Sequence, residues 1–324
     1  MTRTSGESTW PDWFRPLRRC HQPSTSELKS LLSGDEPVLL TGLIGEWPAL
    51  RRWTPRWLAQ EVGDRPIQAL MDLPTEGVLY AKDQDDYLRS MSFADFVQHM
   101  ETVPNTQPCY LAYTRATDIF EHLRRDYDFD AITGGGQAKT DTRIWIGSGG
   151  TRSLLHSDLK PNLFAQLYGR KEALLVPFAD SRYVYPFTDN LVNSRIDPDV
   201  IDLRAFPKFR RARVYSVLVE PGEIVFIPAG CWHYFRATEP SISLNHWFGE
   251  DLAVRDLLKL LVKLGPEHWA AVGRDFVRHG VLGRREVRNF FFSPRSTGKR
   301  IFDLLTSGDF SKESDPTKTS GPDG

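Results

Sequence analysis

Cysteine is scarce in this chain. Cys20, Cys109 and Cys231 are the only three in 324 residues. The number is odd and no CxxC spacing occurs, which argues against a disulfide framework or a cysteine zinc site and fits a reducing compartment. Long apolar runs are also missing. No stretch approaches the roughly 20 residues that a membrane helix needs. Residues 1–11 are polar and lack the apolar centre of a signal peptide, so a cytoplasmic location and no membrane partner are expected. Neither sign of charge dominates. The formal net charge is -1, which gives no reason to expect a nucleic-acid partner. One local exception is the basic run Phe206–Arg213, which reads as a solvated loop or strand edge.

What remains is an ordinary globular composition, 40% hydrophobic and 26% charged, enough for one large domain or a domain with a helical appendage. Residues 1–34 read as a polar lead-in, loosely structured up to about residue 23. A helix follows, capped by Ser24 or Thr25. Pro37–Gly42 and Pro66–Leu70 read as strands, and Cys109–Tyr113 as a strand with clear alternation. Thr54-Pro55 and Ser92 open two further helices. Gly134–Gly136 lacks the Lys-Ser or Lys-Thr of a phosphate loop and reads as a flexible connection. Strands then crowd together: Arg143–Ile146, Ser153–Ser157, Asn162–Tyr168, Lys171–Val176, Val214–Val219, Ile224–Ile227, His233–Ala237 and Ser241–Trp247. Many short strands between Gly and Pro turns predict a mainly β fold with flanking helices, a double-sheet jelly roll or double-stranded β-helix over residues 35–250. The insertion between Asp180 and Arg213 is long enough to be a functional lid. Residues 251–305 read as three helices, from Asp251 to Leu264, Glu267 to His279 and Arg284 to Phe292, packed on the barrel or pairing two copies through Leu257, Leu258, Leu260 and Leu261. Residues 306–324 read as a disordered tail.

The chemistry centres on Leu155-His156-Ser157-Asp158. Residues two apart on a strand share a face, so His156 and Asp158 point together. His233, after the buried strand and turn Ile224–Gly230, can close a three-ligand site. Two imidazoles and a carboxylate make the facial triad of non-haem Fe(II) oxygenases, with positions open for a bidentate co-substrate and O₂. Cys231 is set aside as a ligand because Pro228-Ala229-Gly230 is turn-like. A 2-oxoacid co-substrate would need a buried cation for its distal carboxylate. Lys171 fits, since a lysine inside a sandwich is costly unless an anion joins it. An edge lysine facing water is the alternative, and Arg170 and Arg143 compete for the role. Ser153 and Tyr110 could add hydroxyls, and Asn162 and Asn245 could steady the near carboxylate.

The chain resembles the JmjC-type (cupin-like) Fe(II)/2-oxoglutarate-dependent oxygenases, in the branch of the hypoxia-inducible-factor asparaginyl hydroxylase. The resemblance spans roughly residues 35–250. It rests on Pro37–Gly42 with Trp47-Pro48, on Ser153–Asp158, on Asn162–Lys171, on Pro221-Gly222-Glu223 through Trp232-His233, and on Ser243–Trp247. It implies that His156, Asp158 and His233 hold Fe(II). It further implies that Lys171, with Ser153 and Tyr110, takes the 5-carboxylate of 2-oxoglutarate, that Asn162 and Asn245 lie near its 1-carboxylate, and that Trp247 packs over the site. The implied reaction uses O₂ to hydroxylate a C–H bond on a protein or peptide side chain, releasing succinate and CO₂. A small-molecule hydroxylase and an N-demethylase are the alternatives. Two positions depart from the pattern. Ser153 stands where that branch has Thr, and Lys160 stands where it has a substrate-contacting Gln, so its substrate preference is not carried over.

Overall fold

The computed structural model describes residues 10–78, 84–136, 140–284, 286 and 296–308. Its strands in chain order are β1 (Arg15–Pro16), β2 (Arg19–His21), β3 (Val38–Thr41), β4 (Pro66–Leu70), β5 (Leu88–Ser92), β6 (Tyr110–Arg115) and β7 (Asp141–Gly147). Then come β8 (His156–Ser157), β9 (Asn162–Tyr168), β10 (Lys171–Val176), β11 (Tyr215–Val219), β12 (Glu223–Ile227), β13 (Trp232–Ala237) and β14 (Ser241–Trp247). They form a 5-stranded sheet in the order β1-β11-β10-β13-β8 and a 9-stranded sheet in the order β2-β3-β12-β9-β14-β7-β6-β4-β5.

Alternation along the strands explains the layering. On β9, Asn162, Phe164 and Gln166 face the smaller sheet, whereas Leu163, Ala165 and Leu167 face the opposite way. Phe164 packs with Ala173, Leu175, Val225, Ile227 and Phe235 in an apolar layer between the sheets. Leu163, Ala165 and Leu167 join Ile224, Phe226, Ile242 and Leu244 under helices. Those helices are α1 (Thr25–Leu32), α2 (Pro48–Arg52), α3 (Pro55–Val62), α4 (Phe93–Thr102), α5 (Ala116–Phe120) and α6 (Asp130–Thr133). Ser24, Thr54 and Ser92 cap α1, α3 and α4 by accepting the amide N–H of Glu27, Trp57 and Asp95. This satisfies a donor that a helix start would otherwise leave open. The result is the cupin-like arrangement of two facing sheets with helices against the larger one.

The structure differs from the sequence expectations in four places. The lead-in is not loose over its described part, because β1 and β2 pair in parallel with β11 and β3. Ser153–Leu155 is not strand. The Ser153 hydroxyl accepts the Phe235 N–H at 3.0 Å, the bond that a main-chain carbonyl would take in a ladder, so regular pairing shrinks to His156 and Ser157. The insertion is an anchored layer rather than a free lid. Tyr183, Val184, Ile196 and Phe209 are buried against Leu174, Trp232 and Tyr234 on the outer face of the smaller sheet. In the C-terminal region, α7 (Val254–Leu264) and α8 (Pro266–Asp275) meet at Gly265, and α9 (Thr297–Ser307) runs into the stretch expected to be a tail. Leu257, Leu260 and Leu261 are buried within the chain, so only Leu258 of the four expected contact leucines is exposed. Most of the helix expected over 284–292, and residues 309–324, lie outside the described residues. Among the described residues no helix is long and apolar enough to cross a membrane.

The turn from β9 to β10 carries the chain from one sheet to the other and places Lys171. Gly169 sits there at φ +65°, and a Cβ on it would lie 2.0 Å from the Pro240 carbonyl oxygen. The Gln166 side-chain amide donates to the carbonyls of Tyr168 and Gly169 and ties the same turn. Gly169→Ala therefore combines left-handed strain with a backbone clash. It is expected to destabilise the fold by roughly 2–3 kcal/mol, read as a lower urea midpoint. An unchanged midpoint would show that this turn relaxes freely.

Candidate active site

β8 pairs antiparallel with β13, and His156 stands directly opposite His233. Cross-strand neighbours share a face, and their imidazole centroids lie 4.2 Å apart. Asp158, two residues beyond His156, returns to that face. Its oxygens lie 3.7 Å from His156 Nε2 and 3.6 Å from His233 Nε2. One ligand atom from each of the three falls within 4.8 Å of the others, a spacing that can hold a metal ion.

Main-chain carbonyls set the tautomers. His156 Nδ1 donates to the Leu154 carbonyl at 2.9 Å, and His233 Nδ1 donates to that of Cys231 at 3.0 Å. With Nδ1 protonated, a neutral ring turns an Nε2 lone pair inward, as a ligating imidazole requires. Burial, with His156 beside it, pushes His233 down to about 4, so its ring is neutral at pH 7. Trp247 Nε1 donates to Asp158 Oδ2 at 2.8 Å and orients the carboxylate. Gly230 at φ +77° makes the turn before β13, and its N–H reaches the Asp158 carbonyl at 2.7 Å. The Cys231 thiol points instead to the Val176 carbonyl, and burial pushes its pKa up.

Lys171 is the buried cation. It is 2% exposed, on the same inner face of β10 as Leu175, which stands opposite His233. Four residues at about 3.4 Å each separate Lys171 from that position, roughly 13 Å along the strand. Its ammonium donates to the Ser243 hydroxyl at 2.9 Å and to the Tyr110 hydroxyl at 3.2 Å. None of these partners is a carboxylate, and burial pushes the ammonium down to about 7. An anion beside it would favour the charged form. The competitors are already engaged. Arg143 bonds Asp141 and the Tyr113 carbonyl, and Arg170 pairs with Glu239 at the surface.

Asn162 is fully buried, and among the described residues neither polar atom of its amide has a partner. Such a group costs free energy unless something fills its side of the chamber. Asn245 and Trp247 follow Ser243 at alternate positions on the inner face of β14, with Asn245 7% exposed. Phe164, across from Asn245, lies with its ring 5.4 Å from the Lys171 ammonium. The donor set therefore fits both a divalent metal and a dicarboxylate. Ser153 is not part of it, because its hydroxyl is spent on the Phe235 amide and the Leu154 carbonyl. Ser243 takes that place beside Lys171. Its parity with Asn245 along β14 is the signal that marks it. Lys160 bonds the Gly249 carbonyl and pairs with Asp251 at 3.1 Å.

Comparison with known proteins adds a second line of observation. Residues 23–253 match the family model described as a cupin-like domain. Among curated relatives, Lysine-specific demethylase 8 of Xenopus tropicalis is 28% identical over 238 residues, covering 72% of this chain and 52% of that protein. Lysine-specific demethylase JMJ30 of Arabidopsis thaliana is 29% identical over 223 residues, covering 66% and 50%. HSPB1-associated protein 1 of Homo sapiens is 26% identical over 293 residues, covering 80% and 54%. The chain thus spans about half the length of the curated relatives it matches.

Groups that hold a ligand in place are worth about 10–100-fold in metal affinity. Trp247→Phe removes the hydrogen bond to Asp158 while keeping an aromatic ring beside Tyr113. Cobalt(II) titration, followed by visible absorption, is expected to show binding weakened by about tenfold. Unchanged affinity would show that the indole does not position the carboxylate.

Proposed function

The chain belongs to the cupin-like domain family, and from that premise we propose that it is an Fe(II)- and 2-oxoglutarate-dependent oxygenase that hydroxylates a C–H bond on a protein or peptide side chain. The observation that carries this reading is the pairing of two features on one inner face. One is a cluster of two imidazoles and a carboxylate with both Nε2 atoms turned inward. The other is a buried ammonium whose hydrogen bonds, among the described residues, go to hydroxyls. When bound, ferrous iron would supply the place where O₂, the oxidant, is activated, and 2-oxoglutarate would be the two-electron co-reductant that leaves as succinate and CO₂, one oxygen atom entering succinate and the other the C–H bond.

The chain's own residues supply binding and order. Lys171, with the Tyr110 and Ser243 hydroxyls, would take the distal carboxylate as a charge-assisted contact. The unpartnered Asn162 amide and Asn245 would meet the near carboxylate. His156, Asp158 and His233 would hold the metal, and Trp247 would keep Asp158 turned toward it. The apolar wall around Phe164, Leu175 and Phe235 keeps bulk water from the chamber. N-demethylation is the second reading, supported by the names of the demethylase relatives. It begins with the same insertion, at an N-methyl carbon.

With ferrous iron, O₂ and 2-oxoglutarate, the chain is expected to release succinate. Asp158→Ala should abolish release while circular dichroism stays native, and Lys171→Ala should raise the 2-oxoglutarate concentration needed by tenfold or more. Release that persists in Asp158→Ala would sink the assignment. On a protein substrate, a mass gain of 16 marks hydroxylation and a loss of 14 marks demethylation. We further propose self-association through the C-terminal helices, resting on Leu258 and Val262, exposed one turn apart on α7. Light scattering is expected to give a dimer mass for the full chain and a monomer mass for Leu258→Glu with Val262→Glu. A monomer mass for both would end that proposal.

A further inference from the structure

A second cleft lies outside the barrel chamber, between the insertion and the corner where α7 meets α8. Its volume is about 300 Å³, in the range of small-molecule sites. Arg182, Arg195, Lys208, Arg211 and Lys263 line it, and among the described residues no carboxylate does. None of the five pairs with a described carboxylate. The contrast with Arg213, next along the basic run, is direct, since it pairs with both Glu36 and Asp180.

Aromatic rings hold the three arginines instead. The Arg182 and Arg211 guanidinium groups lie 4.6 and 5.3 Å from the Tyr183 ring, and that of Arg195 lies 5.9 Å from Tyr185. A ring face positions a cation but does not cancel its charge. Five like charges converging on one small space repel one another, and a counter-anion relieves this. His268, also in the lining, donates Nε2–H to the Pro186 carbonyl at 3.4 Å, which leaves its buried Nδ1 without a partner.

We propose that this cleft binds a compact anion carrying two or more phosphate groups. Each phosphate monoester brings about -1.5 to -2 charge at pH 7, and guanidinium forks match its oxygens in pairs. The inference does not rest on the oxygenase reading, because the cleft shares no residue with the His156, Asp158, His233 and Lys171 chamber. It is nonetheless connected to that chamber. Within the insertion, Pro186 pairs with Ser194 and Asn193 pairs with His156, while the Val192 carbonyl accepts the Ser157 N–H. An anion held by Arg182, Arg195 and Lys263 would therefore tie the segment flanking a metal ligand to the α7–α8 corner.

Isothermal titration of the full chain with pyrophosphate at fixed ionic strength tests this. Saturable one-to-one binding is expected, weakened at least tenfold in Lys208→Glu with Arg211→Glu. Lys263→Ala, from the opposite wall, should weaken it threefold or more. Arg204→Glu makes half the charge change of the double variant, at an exposed position on the insertion outside the cleft, and should leave binding within twofold. These side chains are exposed, and circular dichroism checks that each variant is folded. Absence of saturable binding, equal affinity in the double variant, or an equal loss in Arg204→Glu overturns the proposal. Displacement by 2-oxoglutarate would place the anion in the barrel and overturn it too. So would tighter binding of a hexaglutamate peptide, since the occupant would then be an acidic protein segment.

Discussion

The pairing of β8 with β13 is the constraint on which the rest depends. Only two residues of β8 are laddered, yet they bring His156 opposite His233. Every later requirement follows from that juxtaposition. The rings can share a metal only if their Nδ1 atoms are tied off, and main-chain carbonyls two residues upstream do this in both cases. The carboxylate must join on the same face, and Asp158, two residues beyond His156, does so with Trp247 Nε1 donating to its Oδ2.

The second organising force is the cost of burying charge. An ammonium nearly removed from water is expensive without an anion, and this fold spends three inner-face positions on surrounding Lys171 with hydroxyls and a ring rather than neutralising it. A carboxylate from the protein would be more comfortable in isolation. Among the described residues none supplies one, which leaves the attraction available to a ligand, so the stability given up in burying the ammonium returns as affinity and orientation. The unpartnered Asn162 amide follows the same logic at the other end.

Much of this was legible in the chain. Eight strands are legible to within one residue of their ends, because turn residues bound them and apolar residues fill them. The cluster of His156, Asp158 and His233 was legible because a His-x-Asp pair at strand spacing and a His after a turn are local patterns. What escaped was non-local. Ser153 and Ser243 look alike as isolated serines. Only the fold shows that a neighbouring amide consumes the first hydroxyl while the second faces Lys171. The carbonyls of Leu154 and Cys231 carry no side-chain signature at all. The basic run 206–213 reads as a solvated edge until the fold sets Arg182, Arg195 and Lys263 around it. The lead-in failed as a reading because two- and three-residue strands are too short for periodicity to register.

Those short N-terminal strands have a temporal consequence. β1 lies against β11 in register Arg15 with Tyr215, and β2 lies against β3 in the other sheet, so a single stretch of about seven residues straps both layers together. The partner of β1 leaves the ribosome about 200 residues after it does. During synthesis β1 must therefore wait unpaired until β11 emerges, with main-chain donors and acceptors exposed of the kind that invite wrong pairing. Sealing of the β1 border of the smaller sheet is thus set by the arrival of β11, about 200 residues after the strand that covers it.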